Sequence, residues 1–378
     1  MVNLTYVNYL QLATNLSYVQ QLQTIVESPP EAINFVAYHD SFVSDILGPK
    51  PSQELVAETA WPAFHEAGVY NIETGKLYAS SNRADDVEAN PINVTAIDIR
   101  RDANSAVSIA SLHFDHLAQA NGACAYYPPG TPPDSSANQS IVFCDQGTLT
   151  RPAQLVLVDP ATNTSRPLLN NFLGRNFTSP NDIIQHPVTG DLWFTDPYYA
   201  FWQGFRPEPD LRQQIYRFEP DTGIVQAVAD GFVAVNGIEF SPDGEVAYVS
   251  DTGSATYPGT TNASAPASIY RYRMSGDCKR LRDRQLFAYS DSGLPDGLHT
   301  DTEGNVYAGC GDGVHVWNPA GVLIGKITVD GGAANFAFVP AGMFIFNEKR
   351  LFRVGLQAQG RTVARNFVFD RPGYADQR

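Results

Sequence analysis

Six oxygen-bearing residues, Glu66, Asn121, Asn181, Asn236, Asp296 and Asn335, interrupt stretches of the chain that are otherwise apolar or built of small residues. Five of them stand seven to nine positions ahead of a glycine: Glu66 before Gly75, Asn181 before Gly190, Asn236 before Gly244, Asp296 before Gly304 and Asn335 before Gly342. Taking a carboxylate out of water is costly unless it is paired or bound to a metal, so a recurring polar position implies a shared partner. Carboxylates and carboxamides are hard oxygen donors, which suit Ca²⁺ or Mg²⁺ better than zinc or copper. Ca²⁺ leads because its loose coordination shell tolerates donors gathered from separate segments. A column of water is the alternative partner. Asn236-Gly237 and Asp296-Gly297 also read as hairpin-turn dipeptides, yet Asp182 follows Asn181 and Ala67 follows Glu66, so the shared feature is the polar residue.

The glycines belong to a repeat. Thr74-Gly75-Lys76-Leu77-Tyr78, Thr189-Gly190-Asp191-Leu192-Trp193, Asp243-Gly244-Glu245-Val246-Ala247-Tyr248 and Glu303-Gly304-Asn305-Val306-Tyr307 each place a turn before an alternating strand. Gly190, Gly244 and Gly304 are 54 and 60 residues apart, and the 115 residues from Gly75 to Gly190 leave room for one degenerate unit, filled by Ser140-Ile141-Val142-Phe143-Cys144. Gly342-Met343-Phe344-Ile345-Phe346 supplies a sixth. Six units of this length predict an all-β chain folded as a six-bladed β-propeller. In that architecture the innermost strand of each blade lines a central channel, which brings the six polar residues to one axis. Alternating runs at 154–159, 214–218, 268–272, 314–317 and 350–354 are expected as outer strands. Apolar spacing at Leu4, Val7, Leu10, Leu12, Leu16, Val19, Leu22 and Val26 predicts a short, helical N-terminal cap. The expected organisation is a cap with first strands over 1–58 and a propeller over 59–378.

Forty acidic against 25 basic residues give a net charge of −15, which repels phosphate backbones and argues against a nucleic-acid partner. No apolar run is long enough to span a membrane. Seven Asn-x-Ser/Thr sequons, at Asn3, Asn15, Asn93, Asn138, Asn163, Asn176 and Asn262, predict a secreted glycoprotein. Residues 1–23 lack the pattern of a secretory signal, which is expected to have been removed. Cys124 and Cys144 flank a Pro-rich insertion at 127–137 and are candidates for a disulfide, with buried free thiols as the alternative.

The same residues lie in longer motifs. Phe64-His65-Glu66-Ala67, Ser179-Pro180-Asn181-Asp182, Gly190-Asp191-Leu192-Trp193-Phe194-Thr195-Asp196, Asn236-Gly237-Ile238, Pro295-Asp296-Gly297-Leu298-His299-Thr300-Asp301 and the run from Tyr307 to Pro319 resemble the senescence marker protein/gluconolactonase family, and within it the fungal secreted lactonohydrolases of aldonolactones and pantoyl lactone. The resemblance covers the chain from about residue 60 onward. It implies Glu66, Asn236 and Asp296 as ligands of a catalytic Ca²⁺, with Asn181 completing the site directly or through substrate and Asp296 doubling as general base. Mg²⁺, Mn²⁺ or Zn²⁺ would be substitutes. The paraoxonase side of the superfamily has a second acid after the glutamate; Ala67 stands there here, which counts against a second, structural Ca²⁺ at Asp182.

The chemistry expected is metal-assisted hydrolysis of a small lactone. Glu66 is the second candidate for the base, and His65 and His299 are candidates for base or proton shuttle, or for a supporting role beside the ligands. Substrate contacts are expected from Asn181 and Asn121 and from loops at 198–202 and 252–267, with Tyr199, Trp202 and Asp251 as the named candidates. The acidic surface favours a neutral lactone. No Gly-x-Ser-x-Gly elbow is present, which sets aside a serine hydrolase. Two other classes remain, a propeller lyase of the strictosidine synthase type and a calcium- or sugar-binding propeller without catalysis. A homodimer is left open.

Overall fold

The computed structural model describes residues 2–26, 31–84, 91–100, 107–128, 131, 139–256 and 260–364. Six antiparallel blades stand in a ring. The first is Glu66–Asn71, Lys76–Ser80, Val94–Asp98 and Ser108–Leu112; the second is Ala120–Tyr126, Ser140–Asp145, Gln154–Asp159 and Thr164–Leu169. The third blade is Ile183–Gln185, Leu192–Asp196, Gln214–Glu219 and Ile224–Ala229, and the fourth Val235–Phe240, Val246–Asp251, Ser268–Met274 and Leu281–Tyr289. The fifth begins Leu298–Thr300, Val306–Cys310, Gly313–Trp317 and Leu323–Val329, and the sixth Asn335–Val339, Gly342–Asn347 and Arg350–Gly355. The runs expected as outer strands are therefore the third strand of each blade, with at least one further strand outside them.

The N-terminal segment is less separate than a cap. Ser52–Glu58 pairs antiparallel with Arg350–Gly355 as the outermost strand of the sixth blade, so one end of the chain closes the ring against the other. Ile33–Ala37 and Asn3–Tyr6 extend the fifth blade to six strands. The expected helical pattern forms Tyr9–Thr14 and Leu16–Val26. Val7 and Leu22 bury against Val36, while Leu10 and Leu16 point to solvent. The boundary at residue 58 is thus the end of a blade strand.

Cores form where neighbouring blades face each other. Trp193 of the third blade meets Phe240 of the fourth edge to face, centroids 5.6 Å apart, and Phe177, Phe194 and Tyr216 form a second aromatic group. Such pairs add about 0.5–1.5 kcal/mol beyond their burial. The inner strands are locked laterally as well. Ser80, Thr195 and Ser250, on the second strands of blades one, three and four, donate their hydroxyls to the backbone carbonyls of Asn121, Asn236 and Asp296 in the next blade, at 2.8, 2.7 and 3.0 Å.

All four cysteines are buried, and Cys124 and Cys144 are free thiols. Cys124 and Cys144 lie on adjacent strands, but Cys124 faces Val142 and Cys144 faces Leu155, so the register offsets them. The expected disulfide is replaced by two thiols in the core between blades two and three, where burial pushes Cys124 well up in pKa.

Candidate active site

The start of each inner strand is where the side chains turn inward, and in three blades a β-bulge aims them. Register breaks fall between Ala67 and Val69, between Ala120 and Ala123, and between Val235 and Ile238, beside Glu66, Asn121 and Asn236. A bulge adds one residue against one and bends the strand, which re-directs the neighbouring side chain. The glycines after the channel residues serve close approach between blades. A Cβ on Gly122 would lie 2.4 Å from the Asn181 carbonyl oxygen, and one on Gly237 2.5 Å from that of Asp296. Asn236-Gly237 is therefore part of an inner strand and not a hairpin turn.

These elements enclose a cavity of about 210 Å³ at one end of the channel. Glu66, Asn121, Asn181, Asn236 and Asp296 all line it, with His65, Tyr199 and Thr252. Asn335 does not: its Nδ2 donates to Glu66 Oε2 at 2.8 Å and its Oδ1 accepts the Phe336 N–H, so it positions Glu66. Asn236 Nδ2 donates to the Tyr199 hydroxyl at 3.3 Å, and that hydroxyl bonds to Thr252 Oγ1. Three buried oxygens, Oδ1 of Asn121, Asn181 and Asp296, have no protein partner. A buried acceptor left alone costs about 1–3 kcal/mol. Three of them would consume much of the ~5–15 kcal/mol that stabilises a typical domain, unless a ligand takes them.

The electrostatics follow from two carboxylates held together out of water. Burial, and then the charge of Asp296, raise Glu66 well above the usual carboxylate range. Burial pushes Asp296 up to about 6, with His65 opposing. Burial alone would lower His65, but the hydrogen bond and charge of Glu348 outweigh it and push the imidazole up to about 9. His65 Nδ1 sits 2.7 Å from Glu348 Oε1, and Asn82 Nδ2 donates to Glu348 Oε2 at 3.1 Å.

Other expected site residues lie elsewhere. His299 lines a separate cavity of about 30 Å³ with Asp182 and Leu298; its ring packs edge-on against Phe336, and Nδ1 is 3.8 Å from Glu239. Strand alternation past Asp296 carries it away from the site, so it is not a catalytic candidate. Asp251 is fully engaged by the backbone N–H groups of Val233, Ala234 and Gly253 and does not face the cavity. Trp202 backs Tyr199 within the one-turn helix Tyr199–Trp202, ring centroids 5.8 Å apart, and Tyr199 and the following Gln203 do the lining. Both Asp182 oxygens accept backbone N–H groups, from Ile183 and Ile238.

Sequence reasoning missed Asn82, Arg83, Gln146, Gln203 and Glu348. All sit in loops or a hairpin turn, outside the repeat that exposed the others. Glu348, in a left-handed conformation with φ 57°, carried no signal beyond a turn.

Among the described residues no three His, Cys, Asp or Glu side chains gather as metal ligands. The donor set is instead two carboxylates and three carboxamides, which balances a divalent cation in charge and matches the oxygen chemistry Ca²⁺ takes.

The family model of the SMP-30/gluconolactonase/LRE-like region matches residues 118–343. The chain belongs to this family. Lactonohydrolase oryL of Aspergillus oryzae is 28% identical over 329 residues, 82% of this chain and 70% of its own length. A gluconolactonase of Zymomonas mobilis is 29% identical over 203 residues, 51% of this chain and 54% of its own. Among solved structures, a gluconolactonase of Xanthomonas campestris superposes with a TM-score of 0.66 at 25% identity, covering 87% of this chain and 97% of that one. Regucalcin of Agrobacterium tumefaciens, a calcium-binding protein, shares the fold, with a TM-score of 0.57 at 17% identity over 85% of this chain and 98% of that one.

Proposed function

We propose that the chain is a Ca²⁺-dependent lactonase that opens a small lactone to its hydroxy acid. The observation that carries this reading is the convergence of three unsatisfied oxygens with the Glu66 and Asp296 carboxylates on a cavity sized for one small ring. At about 210 Å³ it is smaller than the ~300–1,000 Å³ of pockets for drug-sized ligands. Lactonohydrolase oryL and the gluconolactonases lend support by their names.

Glu66, Asn181, Asn236 and Asp296, with Asn121 beside them, would hold the cation. When bound, it would polarise the lactone carbonyl and offset negative charge developing on that oxygen. Asp296, titrating near 6, is ionised at neutral pH and can take a proton from the attacking water. His65, held as a cation by Glu348, is a proton donor at that pH and not a base. It is suited to protonate the alkoxide released when the acyl–oxygen bond breaks. Asn335 and Asn82 fix the carboxylates of Glu66 and Glu348, which spares the site reorganisation during reaction.

The test is to strip the protein with EDTA and assay γ- and δ-lactones, including gluconolactone and pantoyl lactone, before and after adding Ca²⁺, Mg²⁺, Mn²⁺ or Zn²⁺. Loss of hydrolysis and its rescue, best by Ca²⁺, are expected. Undiminished turnover without metal, or a calcium-dependent melting shift with no turnover of any lactone, would overturn the reading.

We also propose that the protein is secreted and glycosylated. The sequon asparagines Asn3, Asn15, Asn93, Asn163, Asn176 and Asn262 are exposed; Asn138 lies outside the described residues. Enzymatic removal of N-glycans from the natively expressed protein should lower its mass, and an unchanged mass would contradict the proposal.

A further inference from the structure

Two cations line the cavity, His65 and Arg83. His65 is matched by Glu348. The guanidinium of Arg83 has no acidic partner among the described residues, whereas Arg217 is paired with Asp191 and Glu219, Arg361 with Glu239, and Arg206 is held by the backbone carbonyls of Thr148, Arg151, Phe177 and Thr178.

The residues that lead up to Arg83 are held in place. Ser80 pairs with Glu66 at the end of the first hairpin, so the chain leaves the sheet at the same end of the channel as the carboxylates. Asn82 then takes three bonds: its N–H donates to the Pro62 carbonyl at 2.9 Å, its Oδ1 accepts the Arg83 N–H at 2.8 Å, and its Nδ2 reaches Glu348. The backbone of Arg83 is thereby tied to the group that holds His65, while its half-buried side chain stays on the cavity wall.

We propose that Arg83 is a specificity residue that recognises a carboxylate on the substrate, so that the preferred lactone is one derived from a diacid. This rests on the lactonase reading and deepens it. A guanidinium offers a planar fork of donors that carboxylate accepts in bidentate fashion. As a cation on the cavity wall itself, Arg83 outweighs the acidic surface as a guide, since exposed charges beyond about 8–10 Å are screened.

The experiment compares kcat/KM for D-glucaro-1,4-lactone and D-glucono-1,4-lactone, which differ in the acid group, in the calcium-saturated wild type, Arg83→Met and Arg83→Lys. The wild type should favour the glucarolactone. In Arg83→Met that preference should fall about 10- to 100-fold, chiefly through KM, as loss of a charge-assisted hydrogen bond implies. Arg83→Lys should recover part of it. An equal fall for both lactones, or an unchanged preference, would overturn the proposal. Should the wild type turn over neither lactone, the lactonase reading falls, and calorimetric titration with glucarate decides the subsite separately. Binding that Arg83→Met abolishes upholds it, and binding that is absent or indifferent to Arg83 removes it.

Discussion

Two sets of buried carboxylates and carboxamides at the inner ends of the blades meet opposite fates. Asp145, Asp196 and Asp251 close the second strands of blades two, three and four, and each is saturated by backbone donors. Asp145 accepts from Ala118, Gln119 and Gly147, Asp196 from Thr178 and Ser179, and Asp251 from Val233, Ala234 and Gly253. One strand inward, Asp296 keeps Oδ1 free, and Asn121 and Asn181 do the same. Both sets are sealed by the same packing. Satisfied acids here tie the entry of one strand to the end of the next and belong to the scaffold, whereas unsatisfied side chains are left for a ligand.

The sharpest way to break this contrast is to exchange roles by mutation. Asp296→Asn should lower kcat/KM for a lactone by about 10³-fold or more, as loss of a general base and metal ligand implies, while the melting temperature changes little. Asp251→Ala should do the reverse. Three backbone N–H groups lose their acceptor, and denaturant unfolding should register a loss of about 3 kcal/mol or more, with turnover per folded molecule retained. If Asp296→Asn unfolds the protein, or Asp251→Ala spares stability and removes activity, the division is wrong.

pH and calcium together probe the contrast next. With Asp296 pushed up to about 6 and Glu66 raised well above the usual carboxylate range, the folded protein stripped of divalent cations binds protons more tightly than the unfolded chain, whose carboxylates titrate near ~4. That contribution to stability is complete below pH ~4 and is lost as pH rises through about 6. Asp182 and Asp196, both pushed by burial to about 7, add the same sign. Saturating Ca²⁺, which requires ionised carboxylates, should restore stability at the upper end of that window, and Asp296→Asn should weaken both effects. Denaturant melts across the range measure this, and a stripped protein that gains stability with rising pH would contradict it.

The smallest effect belongs to the residue that joins the two sets. Ser250 Oγ accepts the Gly237 N–H at 2.7 Å and donates to the Asp296 carbonyl. Ser250→Ala should cost about 1–3 kcal/mol and lower turnover by less than tenfold. A loss of activity as large as that of Asp296→Asn would move Ser250 into the site itself.

The ring and most of its hub were legible in the chain because the repeat spaces them alike. A turn glycine marks every inner hairpin except that of blade two, and counting back from it reached Glu66, Asn181, Asn236 and Asp296. The count misled where local geometry intervenes. Asn335 sits at the right offset but spends both ends of its amide on Glu66 and Phe336, and His299 lies beside a ligand in sequence yet on the far side of a strand. Asp251 looked functional because polar residues at loop entrances often are; its role is set by three backbone donors that no single-sequence pattern displays. Glu348, Asn82 and Arg83 arrive from loops whose positions follow from blade packing, and Ser52–Glu58 finds its partner some 300 residues away at Arg350–Gly355, a pairing set by closure of the ring.

Calorimetric titration of the EDTA-stripped protein with Ca²⁺, run beside Glu66→Ala and Asp251→Asn, tests the central claim most directly. One Ca²⁺ per chain is expected in the wild type and in Asp251→Asn, with binding weakened at least ~100-fold in Glu66→Ala. A wild type that takes up no calcium, or a Glu66→Ala variant that binds it unchanged, would contradict the account.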